Sequence, residues 1–396
     1  MIYRGDKPIA DHQGATQLMN STTVHAPDVV ALTADLIAIP SPSQASNQEI
    51  SSYLRDLLLA CEFQVEELSY DDNGHRKVSL IAKKGNGDRG IGFFSHSDTV
   101  PGAPGEWDPY TPRMEAGRLI GRGACDMKGP LAATIAAAAA YPASALKQPL
   151  FVVVTADEEV GYGGAKQVVA ESTLLAQGWP AAAIVAEPTR LRPVYAHKGG
   201  TRITVTALGR AAHTSTDQGI SANFLIAPFL AEMTELAKLF KQEPRFQNPD
   251  FAPPTNGFNM VLDDGGCKSN VTAAKTICTL SFRPMPNDAS EEAIALILEA
   301  AARHNLHTEV HRNPPFVVAP DAPVVRAALD ATGLTTAETV PFGTEAVIFD
   351  HFTEPVVLGP GDIAQAHTIG EWIDIAQLQA AVTVYRRLIE RFCSTD

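Results

Sequence analysis

The sequence is poor in the features that mark secreted and membrane-spanning proteins. Its 396 residues include five cysteines, odd in number and widely spaced, with no Cys-x-x-Cys pair. This usage favours reduced thiols in the cytoplasm over a disulfide framework. The first residues are polar and charged, which argues against a signal peptide. No window approaches the roughly 18 apolar residues that a membrane-spanning helix requires.

Positive charge is also scarce. The chain has 31 Lys and Arg against 45 Asp and Glu, a net charge of −14. Such a surface repels polyanions, so neither nucleic acid nor an anionic membrane is expected as a partner. The hydrophobic content of 45% and the charged content of 19% are typical of a globular enzyme. A small-molecule substrate, which responds only to local charge, is not excluded.

The predicted elements indicate two structural units. In residues 1–198 and 314–396, buried strands alternate with helices, which predicts an α/β fold with a mixed, largely parallel sheet flanked by helices. Residues 199–313 instead predict the order β-α-β-β-α-β of a ferredoxin-like α+β sandwich. We therefore expect a catalytic domain with an inserted lid or dimerisation domain. Residues 1–27 are polar and aperiodic, and a loose arm is expected there.

A histidine and an aspartate stand at the end of an apolar predicted strand. Residues 90–94 form an apolar run that leads to His96, and Asp98 follows two positions later. Positions i and i+2 share one face of a strand, so both side chains can reach one crevice. Asp98 would then orient His96 as a metal ligand. Taken alone, a His-x-Asp sequence is more often a satisfied polar pair.

Further acidic residues and a second histidine follow other predicted strands. They are Asp126, Glu158, Glu159, Glu187 and His367. Ligands of open α/β sheets bind outside the carboxyl ends of the strands, so these side chains are expected to meet. Two histidines, three carboxylate ligands and one spare carboxylate suit a two-metal hydrolytic site. Taken singly, Asp126 also fits a helix N-cap and His367 a surface loop. The acidic pair also fits a solvated turn, and Glu187 an ordinary strand end.

The stretches around these residues together resemble the di-zinc aminoacylase and glutamate-carboxypeptidase-like metallopeptidase family. The matching stretches are Ser95-His96-Ser97-Asp98-Thr99-Val100-Pro101, Gly121-Arg122-Gly123-Ala124-Cys125-Asp126-Met127-Lys128-Gly129, Thr155-Ala156-Asp157-Glu158-Glu159, Ala186-Glu187-Pro188-Thr189 and Ala366-His367. They occur in the family's order, and the similarity covers about residues 28–393. The resemblance implies a hydrolase of linear amides with two zinc ions, for which cobalt can substitute.

The resemblance also implies the arrangement of the ligands. Asp126 bridges the two metals. His96 and Glu187 complete one metal site. Glu159 and His367 complete the other.

The same resemblance assigns the supporting roles. Glu158 is the general base and later the general acid, and Asp98 holds His96. The peptide bond after Asp126 is expected to be cis.

The inserted unit contributes further candidates. His213, in residues 209–215, resembles the family's histidine that reaches the partner subunit's active site and hydrogen-bonds the developing oxyanion. A homodimer is therefore expected. Arg283 and Asn270 match positions that bind the substrate's α-carboxylate, for which the guanidinium fork is suited. Thr344 and Glu345 are candidates for recognising the amino-acid part. The alternative roles are a solvent-exposed loop residue for His213, a surface salt bridge for Arg283 and a turn residue for Asn270.

Within the family, four stretches resemble the bacterial acetylornithine deacetylases. They are Ala196-His197-Lys198-Gly199, Arg283-Pro284-Met285-Pro286, Gly343-Thr344-Glu345-Ala346 and residues 358–367. The resemblance implies hydrolysis of N-acetylornithine to ornithine and acetate. Alternatives that keep the metals are succinyl-diaminopimelate desuccinylase, N-acetylcitrulline deacetylase, a general aminoacylase, and a dipeptidase or carboxypeptidase. A non-catalytic binding protein on this fold would not require Glu158. Ser95, Ser97 and residues 160–162 depart from the deacetylase pattern.

Overall fold

The computed structural model describes residues 26–103, 105–286 and 289–394. Residues 1–25 of the predicted arm lie outside these ranges. The helices of the described residues are α1 (Val29–Ala38), α2 (Gln48–Ala60), α3 (Lys128–Ala138), α4 (Gly163–Glu171), α5 (Thr173–Ala176), α6 (Ala222–Gln242), α7 (Ala289–Arg303), α8 (Pro323–Thr332), α9 (Ala346–Phe349) and α10 (Ile375–Ile389).

The strands within the described ranges form three sheets. They are β1 (Gln64–Asp72), β2 (His75–Lys84), β3 (Ile91–His96), β4 (Arg113–Glu115), β5 (Arg118–Ile120), β6 (Leu150–Thr155), β7 (Ala182–Pro188), β8 (Val194–His197), β9 (Gly200–Leu208), β10 (Asn259–Asp263), β11 (Lys275–Phe282), β12 (His307–Asn313), β13 (Phe316–Val317), β14 (Glu338–Val340), β15 (Glu354–Gly359) and β16 (Trp372–Asp374). The smallest sheet has the order β16-β5-β4.

The largest sheet has the order β1-β2-β6-β3-β7-β15-β8-β13, and β14 pairs with β8. The four central strands β6, β3, β7 and β15 are parallel. The edge strands β1 and β2 pair antiparallel to each other, and β2 also pairs antiparallel to β6. The predicted mixed, largely parallel sheet flanked by helices is confirmed.

Both faces of the central strands are covered. Every residue of β3, β6 and β7 is buried, as continuous apolar runs predict for strands between two helical layers. Successive side chains of β6 go to opposite faces. Val152 and Val154 join the core that includes α3, whereas Phe151 and Val153 join the core that includes α4. Polar side chains can therefore reach a cleft only beyond the strand ends.

A second sheet has the order β10-β11-β9-β12 and is antiparallel throughout. Its elements follow the predicted order, β9-α6-β10-β11-α7-β12. Ile203, Phe229, Leu280 and Ile297 belong to a separate apolar core between this sheet and its two helices. The boundaries of the proposed inserted domain at 199 and 313 stay a prediction.

Local structure departs from the sequence prediction at one helix. The sequence predicts a single helix over residues 164–176, but α4 ends at Glu171 and α5 begins at Thr173. Ser172 separates them because its hydroxyl accepts a hydrogen bond from Leu175 N at 3.1 Å and caps α5.

Two further expectations bear on the cellular compartment of the protein. All five cysteines are free. None of the described helices combines the length and apolar character needed to span a bilayer. A cytoplasmic location stays a prediction.

Candidate dinuclear metal site

The carboxyl ends of four neighbouring parallel strands supply most of the candidate site. β3 ends at His96, and β6 ends just before the turn that carries Glu158 and Glu159. Glu187 is the penultimate residue of β7. His367 follows β15 in a loop and has a left-handed φ of 62°. Asp126 precedes α3, and the Asp126–Met127 peptide bond is cis, as the resemblance implies.

The two histidines face different oxygens of Asp126. His96 Nε2 lies 3.2 Å from Asp126 Oδ1 and 3.6 Å from Glu187 Oε1. His367 Nε2 lies 3.2 Å from Asp126 Oδ2 and 3.0 Å from Glu159 Oε2. Ligand atoms of a tetrahedral zinc site are ~3.4 Å apart, given metal–ligand distances of about 2.1 Å. The donor atoms therefore have the separations and the chemistry of a site for two divalent cations joined through Asp126.

The site concentrates buried negative charge. His96 forms one possible metal-binding group with Asp126 and Glu159, and another with Glu158 and Glu187. Burial and neighbouring carboxylates raise the pKa of Glu158 and of Glu187, against the opposing charge of His96. Carboxylates outnumber imidazoles here, and buried charge is stable only when it is paired or bound to metal. The electrostatics therefore also favour bound cations.

The histidines respond to this charge in the metal-free protein. Burial by itself lowers the pKa of His96, but hydrogen bonds to Asp126 and Asp98 raise it well above its usual value. Hydrogen bonds to Asp126 and Glu159 raise the pKa of His367 to about 10.

Asp98 supports the site in two ways. Its backbone carbonyl lies 2.9 Å from His96 Nδ1, and its carboxylate Oδ1 lies 3.6 Å away. His96 Nδ1–H can thus donate to Asp98, which leaves Nε2 free to face Asp126. The carboxylate also accepts hydrogen bonds from Glu158 N at 3.1 Å and Glu159 N at 3.3 Å. Asp98 therefore orients the acidic pair as well as the histidine.

A buried ion pair that sequence reasoning missed holds the same turn. Lys77 Nζ lies 2.6 Å from Asp157 Oδ1 and also donates to Ser43 O at 2.6 Å. The Tyr70 hydroxyl donates to Asp157 Oδ2 at 2.8 Å. Asp157 has a left-handed φ of 56°, which places the next two residues on a sharp turn. Adjacent Glu158 and Glu159 can then point to different positions.

Glu371 is a second missed residue, and it is fully buried. Its carboxylate accepts hydrogen bonds from Arg122 Nη1 at 2.7 Å, Gly123 N at 3.1 Å, Cys125 N at 2.9 Å and Asp126 N at 2.9 Å. It thus fixes the loop that presents Asp126. A lone acid four residues after His367 carries no sequence signal of burial, so only the tertiary structure identifies it.

The candidates of the second sheet fall into two groups. His213 is exposed and its Nδ1 lies 2.7 Å from Ser215 Oγ. Asn270, also exposed, accepts from Thr214 N through its carbonyl at 3.1 Å, so it is adjacent to the His213 turn. Arg283 follows the opposite end of β11. Eight residues of strand span ~23 Å, so one chain does not bring Asn270 and Arg283 together.

Thr344 and Glu345 lie beneath the site. Thr344 is fully buried; its N donates to His197 Nε2 at 3.2 Å, and its hydroxyl accepts from Ala346 N at 3.2 Å. Glu345 Oε2 accepts from Thr155 Oγ1 at 2.7 Å, and burial raises the pKa of Glu345 to about 7. Both side chains are engaged by the protein, and their contact with substrate stays a prediction.

Comparisons with known proteins agree with this geometry. The model of peptidase family M20/M25/M40 matches residues 92–391. The acetylornithine deacetylase of Myxococcus xanthus is 36% identical over 382 residues, which cover 93% of this chain and 98% of that protein. The acetylornithine deacetylase of Proteus mirabilis is 31% identical over 389 residues, covering 94% of this chain and 99% of that protein.

Solved structures show the same fold. An M20 family metallo-carboxypeptidase of Sulfolobus solfataricus superposes with a TM-score of 0.73 at 17% identity, covering 92% of this chain and 99% of that one. The aminopeptidase PepT of Bacillus cereus gives 0.71 at 21% identity, covering 93% and 99%. With five motifs in order and a family match over most of its length, the chain belongs to peptidase family M20/M25/M40 and is a metal-dependent amide hydrolase.

Proposed function

We propose that this protein hydrolyses the amide bond of an N-acyl amino acid, and that its substrate is N-acetylornithine, which it converts to ornithine and acetate. The observation that carries the reaction type is the pair of histidines that face opposite oxygens of Asp126. The similarity to two acetylornithine deacetylases supports the choice of substrate.

The proposed cofactor is a pair of zinc ions, for which cobalt substitutes. Asp126 would be shared, His96 and Glu187 would complete one site, and Glu159 and His367 would complete the other. Two cations held by these residues would supply Lewis-acid chemistry, polarising the acyl carbonyl and lowering the pKa of the attacking water. Imidazole and carboxylate donors at these separations suit zinc.

Glu158 has the proposed role of proton carrier. It takes the proton from the attacking water and delivers it to the leaving amine. Its backbone N–H donates to Asp98 Oδ1 and that of Glu159 to Asp98 Oδ2, so both carboxylates leave one anchored turn. The family resemblance makes Glu158 the base and Glu159 the ligand, although the Glu158 carboxylate also lies within reach of His96 and Glu187. A carboxylate whose pKa is raised by burial accepts a proton more readily than a solvated one.

We further propose that the working unit is a homodimer. Asn270 and His213 lie at one end of β11 and Arg283 lies at the other, so one chain supplies only part of the substrate-binding set. A second copy would supply the missing loop, with His213 donating to the oxyanion. The inserted unit also exposes apolar side chains on α6 and the edge strand β10, including Phe224 at 83% and Val261 at 59%. A second copy would cover them.

A substrate panel tests this function. The protein would be loaded with zinc and assayed with N-acetyl and N-succinyl derivatives of ornithine, citrulline and diaminopimelate, and with simple dipeptides. We expect the highest kcat/KM with N-acetylornithine. A preference for a succinyl compound or a dipeptide would agree with amide hydrolysis but would refute N-acetylornithine as the substrate. Two bound metals without turnover of any compound would instead support a binding protein.

A further inference from the structure

Tyr162 lies between the acidic pair and α4, and no role has yet been assigned to it. Its backbone has a left-handed φ of 63°, and its N–H donates to Asp157 O at 2.9 Å. The side chain is 8% exposed and packs in the apolar core that also contains Phe94 and Phe316. A left-handed tyrosine is uncommon, because such a backbone normally favours glycine or asparagine. The turn therefore fixes the backbone of Tyr162, and core packing holds its ring.

The Tyr162 side chain is mostly buried, but its hydroxyl is not among the enclosed polar atoms that lack a hydrogen-bond partner. It forms no hydrogen bond with another described residue and stays open to a ligand. Its surroundings are identified by a neighbouring glycine. A Cβ added to Gly343 would lie 3.3 Å from the Tyr162 hydroxyl and 3.3 Å from Lys198 O. The hydroxyl therefore lies near the backbone of Gly343 and Lys198, where the large sheet meets the second one.

The charged groups around this hydroxyl shift its pKa in opposite directions. Burial raises the pKa of Tyr162, and so do the nearby carboxylates of Glu158, Glu187 and Glu345. The positive charge of Arg283 lowers it. The phenol is therefore protonated at neutral pH and can donate. Arg283 is the neighbouring cation, and a Cβ added to Gly200 at the start of β9 would lie 3.6 Å from its Nη1.

A protonated donor without a partner, close to a guanidinium, fits an anionic group of a ligand. No carboxylate of the metal site accepts a hydrogen bond from the Tyr162 hydroxyl; Asp126, Glu187 and Glu159 face histidines instead. The remaining anion is that of the substrate, whose free carboxylate is expected to pair with Arg283.

We propose that Tyr162 determines specificity for substrates with a free α-carboxylate, by donating a hydrogen bond from its hydroxyl to that carboxylate beside Arg283. This inference rests on the proposed function, since it requires an N-acyl amino acid in the cleft. It adds a substrate contact from the turn that follows the general base. The segment from Glu158 to Tyr162 would then carry both the general base and a residue that selects the substrate.

The test compares Tyr162→Phe with wild type on two substrates that differ only at the carboxylate. For an N-acetyl amino acid we expect KM to rise roughly 10- to 100-fold, the value of a hydrogen bond to a charged group, with kcat little changed. For the matching α-carboxamide we expect both enzymes to have the same KM. Tyr141→Phe is the control, because that hydroxyl bonds to Glu390 on the outer surface and its loss should change neither constant.

Three results would overturn the inference. An equal rise of KM for the carboxamide would mean that the ring, not the hydroxyl-to-carboxylate bond, matters. A fall of kcat at constant KM would place the hydroxyl on the reacting carbonyl. Additive effects of Tyr162→Phe and Arg283→Met would show that the two side chains do not share one anion.

Calorimetry separates failure of this inference from failure of the proposed function. If wild type hydrolyses no N-acyl amino acid, the proposed function fails. Titration of wild type and Tyr162→Phe with the free amino acid and with its amide then measures the contact without turnover. A tighter binding of the free acid that disappears in Tyr162→Phe supports the contact, and equal affinities refute it.

Discussion

Replacing Glu371 by glutamine should weaken metal binding although Glu371 touches no metal ligand side chain. Glutamine has nearly the same size but offers one oxygen in place of two. It also places an NH₂ group against one of the donors Arg122, Gly123, Cys125 and Asp126. The loop that presents Asp126 must then move.

The magnitude follows from the contacts. Breaking the buried ion pair with Arg122 leaves an uncompensated charge, which costs about 3–5 kcal/mol of folding free energy. Loss of an outer residue that orients a ligand typically weakens metal binding about 10- to 100-fold. We expect both effects in Glu371→Gln. Glu371→Ala should be worse, because each buried N–H left without an acceptor adds about 1–3 kcal/mol.

Competition with a chromogenic chelator would measure metal affinity, and urea unfolding of the metal-free protein would measure stability. The matched control is Glu66→Gln, since the Glu66 carboxylate also collects hydrogen bonds, from Ser172, Thr173 and Leu174 at the start of α5. That variant should lose stability but keep its metal affinity. If Glu371→Gln binds zinc as tightly as wild type, the proposed support of Asp126 is refuted.

Further predictions concern the other site residues. Glu158→Ala should keep both metals yet lose ~10³-fold or more in kcat, whereas Glu159→Ala should lose metal by elemental analysis; the opposite pattern would reverse the two roles. His213→Ala should cost roughly 10²- to 10³-fold in kcat with metal retained. Mixing it with Glu158→Ala should restore activity toward about a quarter of wild type by counting on a two-fold dimer, and no recovery despite subunit exchange would show that His213 does not act across subunits. Chelation should abolish activity, and Zn²⁺ or Co²⁺ should restore it; full activity of metal-free protein would contradict this. Because the pKa of His367 is raised to about 10 from 6.5 in the metal-free protein, its charge contributes stability below about pH 6.5 that is lost toward pH 10. Thermal unfolding of metal-free protein should therefore show a modest decline over that range, since the imidazole is half exposed, and the same slope in His367→Gln would exclude this cause.

The sequence alone determined the central architecture and the identity of the candidate ligands. Residues 90–94 and 150–155 are continuously apolar, and such short runs predict strands covered on both faces. Because parallel strands present their carboxyl ends along one edge, the sequence pattern is enough to predict that His96 and Glu187 meet. Helix α5 was predicted less well, because the cap at Ser172 depends on a single side-chain hydrogen bond.

Only the tertiary structure decided how these residues are held and shared. Opposite oxygens of Asp126 face His96 and His367, Glu371 fixes the Asp126 loop from far along the chain, and Asn270 is kept away from Arg283 by the length of β11. Sequence patterns report whether a segment is buried, because burial selects apolar residues at regular spacing. They do not report which donor a buried carboxylate meets, because that partner is set by long-range packing and leaves no local periodicity.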